Sequence, residues 1–182
     1  MLSKILLKLI DEAVLPAVIL VSTKIIGLGL INFFFHFTFE IKFFPQMILP
    51  ALVYTDSQEA LLANSYSNLL MYGAIFVGFL WVIVKSIHLH ETHISPKATQ
   101  KLARWNLLKL LTNSYNLYHQ AVVWFLFLWI AVGILIFYSF SDLTYWWVSV
   151  ASLAFNFVLT YLIIDDVERE FYARRAFNNG YS

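Results

Sequence analysis

Long uninterrupted runs of apolar residues dominate the pattern of hydrophobic and polar positions along this chain. Four such runs occupy residues 13–37, 66–84, 121–140 and 145–164. Each holds about 19–25 residues, the length that an α-helix needs to cross about 30 Å of hydrocarbon. The pattern therefore predicts an all-α integral membrane protein, a four-helix transmembrane bundle that forms a single domain over residues 1–182.

Two segments outside these runs carry helical patterns of their own. In residues 95–111, a Ser-Pro pair forms a helix start, and basic and apolar positions then follow at helical spacing. This pattern predicts an amphipathic helix that lies in the membrane plane between spans 2 and 3 and binds lipid headgroups through Lys97, Lys101, Arg104 and Trp105. In residues 165–178, opposite charges at i, i+4 spacing predict a helical extension of span 4 into the cytoplasm.

The connection formed by residues 38–65 is too apolar for a free loop. It is rich in aromatic residues and is interrupted by Pro45 and Pro50. We expect it to lie at the membrane interface, or to pack against the bundle or a partner. Ser57 is expected to cap a short helix that leads into span 2.

Basic residues are distributed asymmetrically around the four runs. Of the twelve Lys and Arg residues, ten lie before span 1, between spans 2 and 3, or after span 4. The positive-inside rule then places both termini and segment 95–111 in the cytoplasm, or in the matrix of an organelle. The expected location is therefore a bacterial or archaeal cytoplasmic membrane, or the inner membrane of an organelle.

Composition narrows the classes of function. The chain is 60% hydrophobic and 13% charged, so a separate soluble domain has little room. The absence of cysteine excludes disulfides, thiolate metal sites and iron–sulfur ligation. A net charge of +1 argues against nucleic acid as a partner.

Three polar residues inside the runs are candidate intramembrane polar groups: Lys24, Asn32 and Asn156. Lys24 is the one full charge deep in a span, and such a charge usually faces a cavity or a counter-ion. The alternative is that its side chain snorkels to the inner interface. Because spans 2–4 carry no acid at a matching depth, its expected partners are neutral: Asn156, Thr160 and Tyr72.

Histidines near the inner ends of spans 2 and 3 are candidate ligands. His90 and His93 have i, i+3 spacing, which places two nitrogens on one helix face and forms half of a metal site, and His119 could join them. His88 and His119 could instead be the axial ligands of a b-type haem between spans 2 and 3. The remaining interpretation is that all of them are polar interface residues.

Small residues within spans 1 and 2 predict close helix contacts. Gly27 and Gly29 lie in span 1, and Gly73, Ala74 and Gly78 lie in span 2. Such faces let helix backbones approach closely. The contact is expected within the monomer, with a homo-oligomer contact as the alternative.

The sequence contains no nucleophile elbow, phosphate-binding glycine loop or catalytic triad. It therefore favours a non-enzymatic role, as an integral membrane subunit of a larger complex of respiratory or transport type. Such a subunit contributes helix packing and assembly, with the lipid bilayer and other membrane protein subunits as partners. Two alternatives remain: a small homo-oligomeric channel or transporter with a polar path near Lys24, and a haem- or metal-binding membrane protein.

Overall fold

The computed structural model describes residues 2–43, 51–88, 104 and 114–179. Four helices account for most of them: α1 Leu2–Phe35, α2 Ser57–His88, α3 Ser114–Phe140 and α4 Trp146–Asn179. Each helix contains a stretch long and apolar enough to cross a membrane: Leu6–Phe35, Ser57–Lys85, His119–Phe140 and Trp146–Asp165. The prediction of four helices that are long and apolar enough to span a membrane is confirmed, whereas the side on which each end lies stays a prediction.

Helix α2 begins well before the apolar run 66–84 that marked span 2 in the sequence. Its cap is Asp56 rather than Ser57, because Asp56 Oδ1 accepts the Gln58 N–H at 3.0 Å and the Asp56 carbonyl accepts the Ala60 N–H at 3.2 Å. The expected short separate helix is therefore the first part of a single long one. A search for apolar runs misses this part because its first turns contain polar residues.

Helix α1 begins at Leu2, before the apolar run 13–37 that marked span 1 in the sequence, and contains Pro16 in its interior. The proline removes the backbone N–H that would bind the Glu12 carbonyl, so the helix has one missing bond there. At the other end of the chain, α4 runs without interruption to Asn179 and thus covers the expected helical range 165–178.

A short antiparallel hairpin joins α1 to α2. Strand β1, Phe39–Lys42, pairs with β2, Ala51–Tyr54, with Phe39 opposite Tyr54 and Lys42 opposite Ala51. The sequence did not predict these strands, since four residues are too few for a clear alternation. Their faces nevertheless differ: Phe39 and Ile41 share one face of β1, and the ion pair Glu40–Lys42, at 3.2 Å, lies on the other.

Helix α2 is the centre of the bundle, with contacts to α1, α3 and α4. Within the described ranges, α1 and α4 do not approach each other. The core lies mainly between α2 and α3, where fully buried side chains interdigitate: Met71, Ile75, Phe79, Leu128, Val132 and Leu135. We call the end that carries the hairpin and the α3–α4 turn the hairpin end, and the other the opposite end.

Two of the small residues of the spans form close helix contacts within the chain. A Cβ on Gly78 would collide with the buried Trp124 ring of α3. A Cβ on Gly27 would lie 3.2 Å from the Cα of Ser67 on α2. These two glycines therefore set the approach of α3 and α1 to α2, whereas Gly29 and Gly73 have open space beside them.

Candidate functional site

Polar side chains concentrate in the half of the bundle nearest the hairpin. The run Asn64-Ser65-Tyr66-Ser67-Asn68 supplies four of them to α2. Helical geometry turns Asn64 and Ser67 towards α1, and Ser65 and Asn68 towards the α3–α4 turn. This run was overlooked in the sequence because it was assigned partly to the external connection; polar residues at i, i+3 spacing beside an apolar run were the available signal.

Lys24 is held between α1, α2 and α3. Its Nζ donates to Ser67 Oγ at 2.8 Å, to Asn64 Oδ1 at 3.2 Å and to the Asn64 carbonyl at 3.4 Å. The ring centroid of Tyr138 on α3 lies 5.6 Å from Nζ, within cation–π range. The close crossing at Gly27, one turn along α1, brings Ser67 within reach of the lysine.

These partners differ from the expected ones, Asn156, Thr160 and Tyr72. The direction also differs: Gly27 lies opposite Ser67, so the ammonium group reaches about one turn from its own Cα towards the hairpin end. It does not snorkel towards the opposite end. The prediction failed because the sequence does not give the register of α1 against α2, and the contact at Gly27 places Asn64 and Ser67 beside Lys24.

Asn32 anchors the hairpin to α1. Its buried Oδ1 accepts the Tyr54 hydroxyl at 3.0 Å. Burial raises the pKa of Tyr54 above its ordinary value, and the negative charge of Glu59 acts in the same direction. Glu59 Oε2 accepts both the backbone N–H and the hydroxyl of Thr38, at 3.3 and 3.4 Å. Two hydrogen-bonded contacts therefore hold the hairpin and its first connection on the helices.

Asn156 belongs to a different contact, between α2 and α4. The Tyr72 hydroxyl donates to Asn156 Oδ1 at 3.1 Å and lies 3.4 Å from the Ser152 carbonyl. Among the described residues, Asn156 Nδ2 and Asn68 Oδ1 are buried without a hydrogen-bond partner. Both residues are fully buried, so each carries the cost of a desolvated polar atom.

Further buried bonds join α2, α3 and α4 at the hairpin end. Asn68 Nδ2 donates to Thr144 Oγ1 at 2.6 Å, and the Tyr145 N–H donates to Ser65 Oγ at 2.9 Å. Ser139 and Ser149 share a bond of 2.6 Å between α3 and α4. In the described part of the chain, no hydrogen bond links Lys24 or Asn32 to Asn156, so the three predicted polar residues serve separate contacts.

The candidate haem and metal residues lie at the opposite end. His119, near the start of α3, interacts electrostatically with Glu12 of α1, and so does Lys8. His88 ends α2, but its side chain lies outside the described residues, together with His90, His93, Lys97, Lys101 and Trp105. Of the headgroup residues, Arg104 alone is described, and it is exposed. Among the described residues, no group of three or more His, Asp or Glu could hold a metal ion.

Comparison with models of known protein families, with curated proteins and with solved structures finds no match to this chain. Proposals about its function therefore rest on its own residues and their geometry.

Proposed function

We propose that this chain is a non-catalytic subunit of a larger membrane protein complex, in which it packs against other subunits and supports assembly. The observation that carries the proposal is an exposed apolar surface on the hairpin, formed by Phe39, Ile41 and Phe43. Ile41 is 59% exposed and Phe43 is 80% exposed. These side chains follow the end of α1, where none of the four helices covers them.

The hairpin itself supports a covering partner. An isolated two-stranded hairpin is marginally stable at best, and every residue of β1 is exposed. The outer edge of β1 also presents backbone N–H and C=O groups that its one pairing with β2 leaves open within the described residues. A partner at this edge would bury the apolar side chains and satisfy the backbone at once.

Helix α4 supplies a second surface for assembly. Its spanning stretch ends at Asp165, yet the helix continues to Asn179, which adds about 20 Å at 1.5 Å per residue. Most helical stability in proteins comes from packing against other elements, and within the described residues no element of this chain is shown packed on this extension. A neighbouring subunit would supply that packing.

The polar residues of the spans favour packing over conduction. Lys24 bonds to α2, Asn32 to the hairpin and Asn156 to α2 from α4. Each contact joins two elements of this chain, as interhelical polar bonds do in membrane bundles. The polar path expected of a channel near Lys24 therefore has less support than a structural role for these residues.

Photo-crosslinking in the membranes of the source organism tests the proposal. A photoreactive amino acid replaces Phe43 in the full chain, and a matched variant carries it at Val150, an outward position of α4 that is 58% exposed. We expect Phe43 to give an adduct with a different polypeptide, and Val150 to give lipid adducts. Native mass spectrometry of the same preparation should show a heteromeric complex.

A monomer or a pure homo-oligomer, with the Phe43 probe attached only to lipid or to a second copy, would overturn the proposal in favour of the channel or transporter. The absorption spectrum of the same purified material tests the haem alternative, because a b-type haem gives a strong Soret band.

A further inference from the structure

The groups around Lys24 accept hydrogen bonds from its ammonium group, but none of them carries a negative charge to balance it. Three acceptors surround Nζ, which matches the three N–H donors of an ammonium group. All three belong to neutral groups, an amide side chain, a hydroxyl and a backbone carbonyl. Within the described residues Lys24 forms no ion pair. A full charge in the apolar part of a membrane protein is costly, and such groups pair with one another or with backbone carbonyls, or face a water-filled cavity.

Within the described residues, no carboxylate lies at the depth of Lys24. The acids within the spanning stretches lie near their ends, at Asp11, Glu12, Glu59 and Asp165. Glu59, on the helix that holds Lys24, lies about 12 Å from Ser67 along α2 at 1.5 Å per residue, and its Oε2 accepts from Thr38. A second copy with the same orientation would carry its acids at these same depths, so a homo-oligomer does not supply the missing charge.

The position of Lys24 is open to a neighbour in the membrane. Its side chain is only partly buried, and the flanking Val21 and Ile25 are 55% and 64% exposed. Helix α1 packs against α2 and α3, and α4 does not approach it within the described ranges, so no described helix of this chain covers the face that carries Val21 and Ile25. A helix from another polypeptide can therefore lie along α1 and reach the ammonium group.

We propose that Lys24 binds a carboxylate on a transmembrane helix of a different polypeptide, and that this ion pair positions the two chains in the complex. The inference rests on the proposed function as a subunit. The contact from Nζ to the Asn64 carbonyl is the longest of the three, at 3.4 Å. The carboxylate accepts the N–H that makes this long contact. The bonds to Ser67 and to the Asn64 side chain keep the ammonium group in place.

Carbodiimide crosslinking in the native membrane tests this ion pair. Dicyclohexylcarbodiimide enters the apolar phase and activates a carboxyl group, the Lys24 amine attacks the activated carbonyl, and an isopeptide bond forms as the reagent leaves as its urea. We expect mass spectrometry to find Lys24 joined to an Asp or Glu of a hydrophobic peptide from another chain. Lys24→Arg keeps the charge but removes the reactive amine, so it should assemble without forming the crosslink.

Lys24→Gln removes the charge and keeps a side chain that can bond to Ser67. We expect this variant to recover at least tenfold less of the partner than the wild type, with unchanged helix content for the purified chain, although the lost bonds to Asn64 lower its thermal midpoint. If Lys24→Gln does not fold, Lys24→Arg and the wild-type crosslink decide the question by themselves.

The outcomes separate the two proposals. Two results with a heteromeric wild type overturn the ion pair and leave the subunit proposal standing. One is that Lys24→Gln recovers the partner fully, and the other is that the folded wild type gives no crosslink at Lys24. A crosslink from Lys24 to the carboxylate of an anionic lipid, or to an acid of this chain, also overturns it. A wild type that is not heteromeric overturns the subunit proposal itself.

Discussion

Gly78 is the residue at which the packing of α2 on α3 is most sensitive to one added carbon. The Trp124 ring occupies the space that a Cβ would need, and this ring is buried against the core of the bundle. Because a rigid indole within a packed core cannot move aside cheaply, Gly78→Ala should lower the free energy of unfolding by about 1–3 kcal/mol. The thermal midpoint in mild detergent, followed by tryptophan fluorescence, measures the change.

Gly29→Ala is the matched control for this substitution, because Gly29 lies in the same kind of helix with nothing within 4 Å of an added Cβ. Its unfolding free energy should change by no more than about 0.5 kcal/mol. Equal destabilisation by both alanines would show that the contact with Trp124 does not limit the approach of the helices.

The bond between Tyr72 and Asn156 provides a second test at the scale of residues. Tyr72→Phe removes a buried donor and leaves Asn156 Oδ1 without its partner, so it should destabilise the bundle by about 0.5–2 kcal/mol. Asn156→Leu should cost less than Tyr72→Phe, since the Asn156 Nδ2 is already buried without a hydrogen-bond partner among the described residues. Unfolding titrations of both single variants and the double variant measure the coupling.

The double variant Tyr72→Phe/Asn156→Leu should be more stable than the sum of its single changes indicates, because it leaves no orphaned group at the contact. Strictly additive effects would mean that the hydroxyl and the amide do not stabilise each other in the membrane.

At the scale of elements, the attachment of the hairpin depends on the protonated Tyr54 hydroxyl. Burial raises the pKa of Tyr54, so the folded protein keeps this proton at a pH at which the unfolded chain has lost it. The folded state therefore binds more protons than the unfolded state above about pH 10, and stability falls as pH rises. Below that pH the bond to Asn32 contributes fully, by about 0.5–1.5 kcal/mol.

Tyr54→Phe should lower the thermal midpoint at pH 8 and flatten its decline above about pH 10. Tyr161→Phe, which changes an exposed tyrosine of α4, serves as the control and should leave the curve as in the wild type. A Tyr54→Phe curve parallel to that of the wild type over the whole range would show that ionisation of Tyr54 does not release the hairpin.

The elements also show how far the sequence determines the fold. Apolar runs of spanning length predict four helices well, because a helix is the form that satisfies the backbone in lipid. The start of span 2 was placed at residue 66 and a separate short helix was expected before it, since Asn64 and Ser65 are polar and their partners on neighbouring elements are not visible in the sequence. The hairpin depends on pairing across a connection with two prolines, a non-local contact that local patterns do not report.

At the scale of the whole molecule, the sequence predicted which residues of the candidate site are polar, but not which partners they bond to. The sequence singled out Lys24, Asn32 and Asn156 because polar groups within spans are rare. Their partners depend on which helices touch and in what register, and close packing at Gly27 fixes both for Lys24. The residues outside the described ranges, including His90, His93 and Trp105, stay sequence predictions.

The arrangement of the helices makes a definite prediction about sidedness. Ser57 and Asp142 are exposed and lie at the hairpin end, at the start of α2 and in the α3–α4 turn. Thr99 lies in the basic segment, which the charge distribution places with the termini. Because the chain contains no cysteine, one cysteine introduced at each position in turn reports its side without background.

In intact cells, an impermeant maleimide should label Ser57→Cys and Asp142→Cys, and it should label Thr99→Cys only after the membrane is permeabilised. The reason is that α1 and α3 run towards the hairpin end and α2 and α4 run back. In addition, ten of the twelve Lys and Arg residues lie before span 1, between spans 2 and 3 or after span 4, which the positive-inside rule places in the cytoplasm. If the accessibility of all three positions were reversed, the four-helix bundle would still stand, but its orientation in the membrane would be the opposite. Labelling of Ser57→Cys and Asp142→Cys from opposite sides would be incompatible with four membrane-spanning helices.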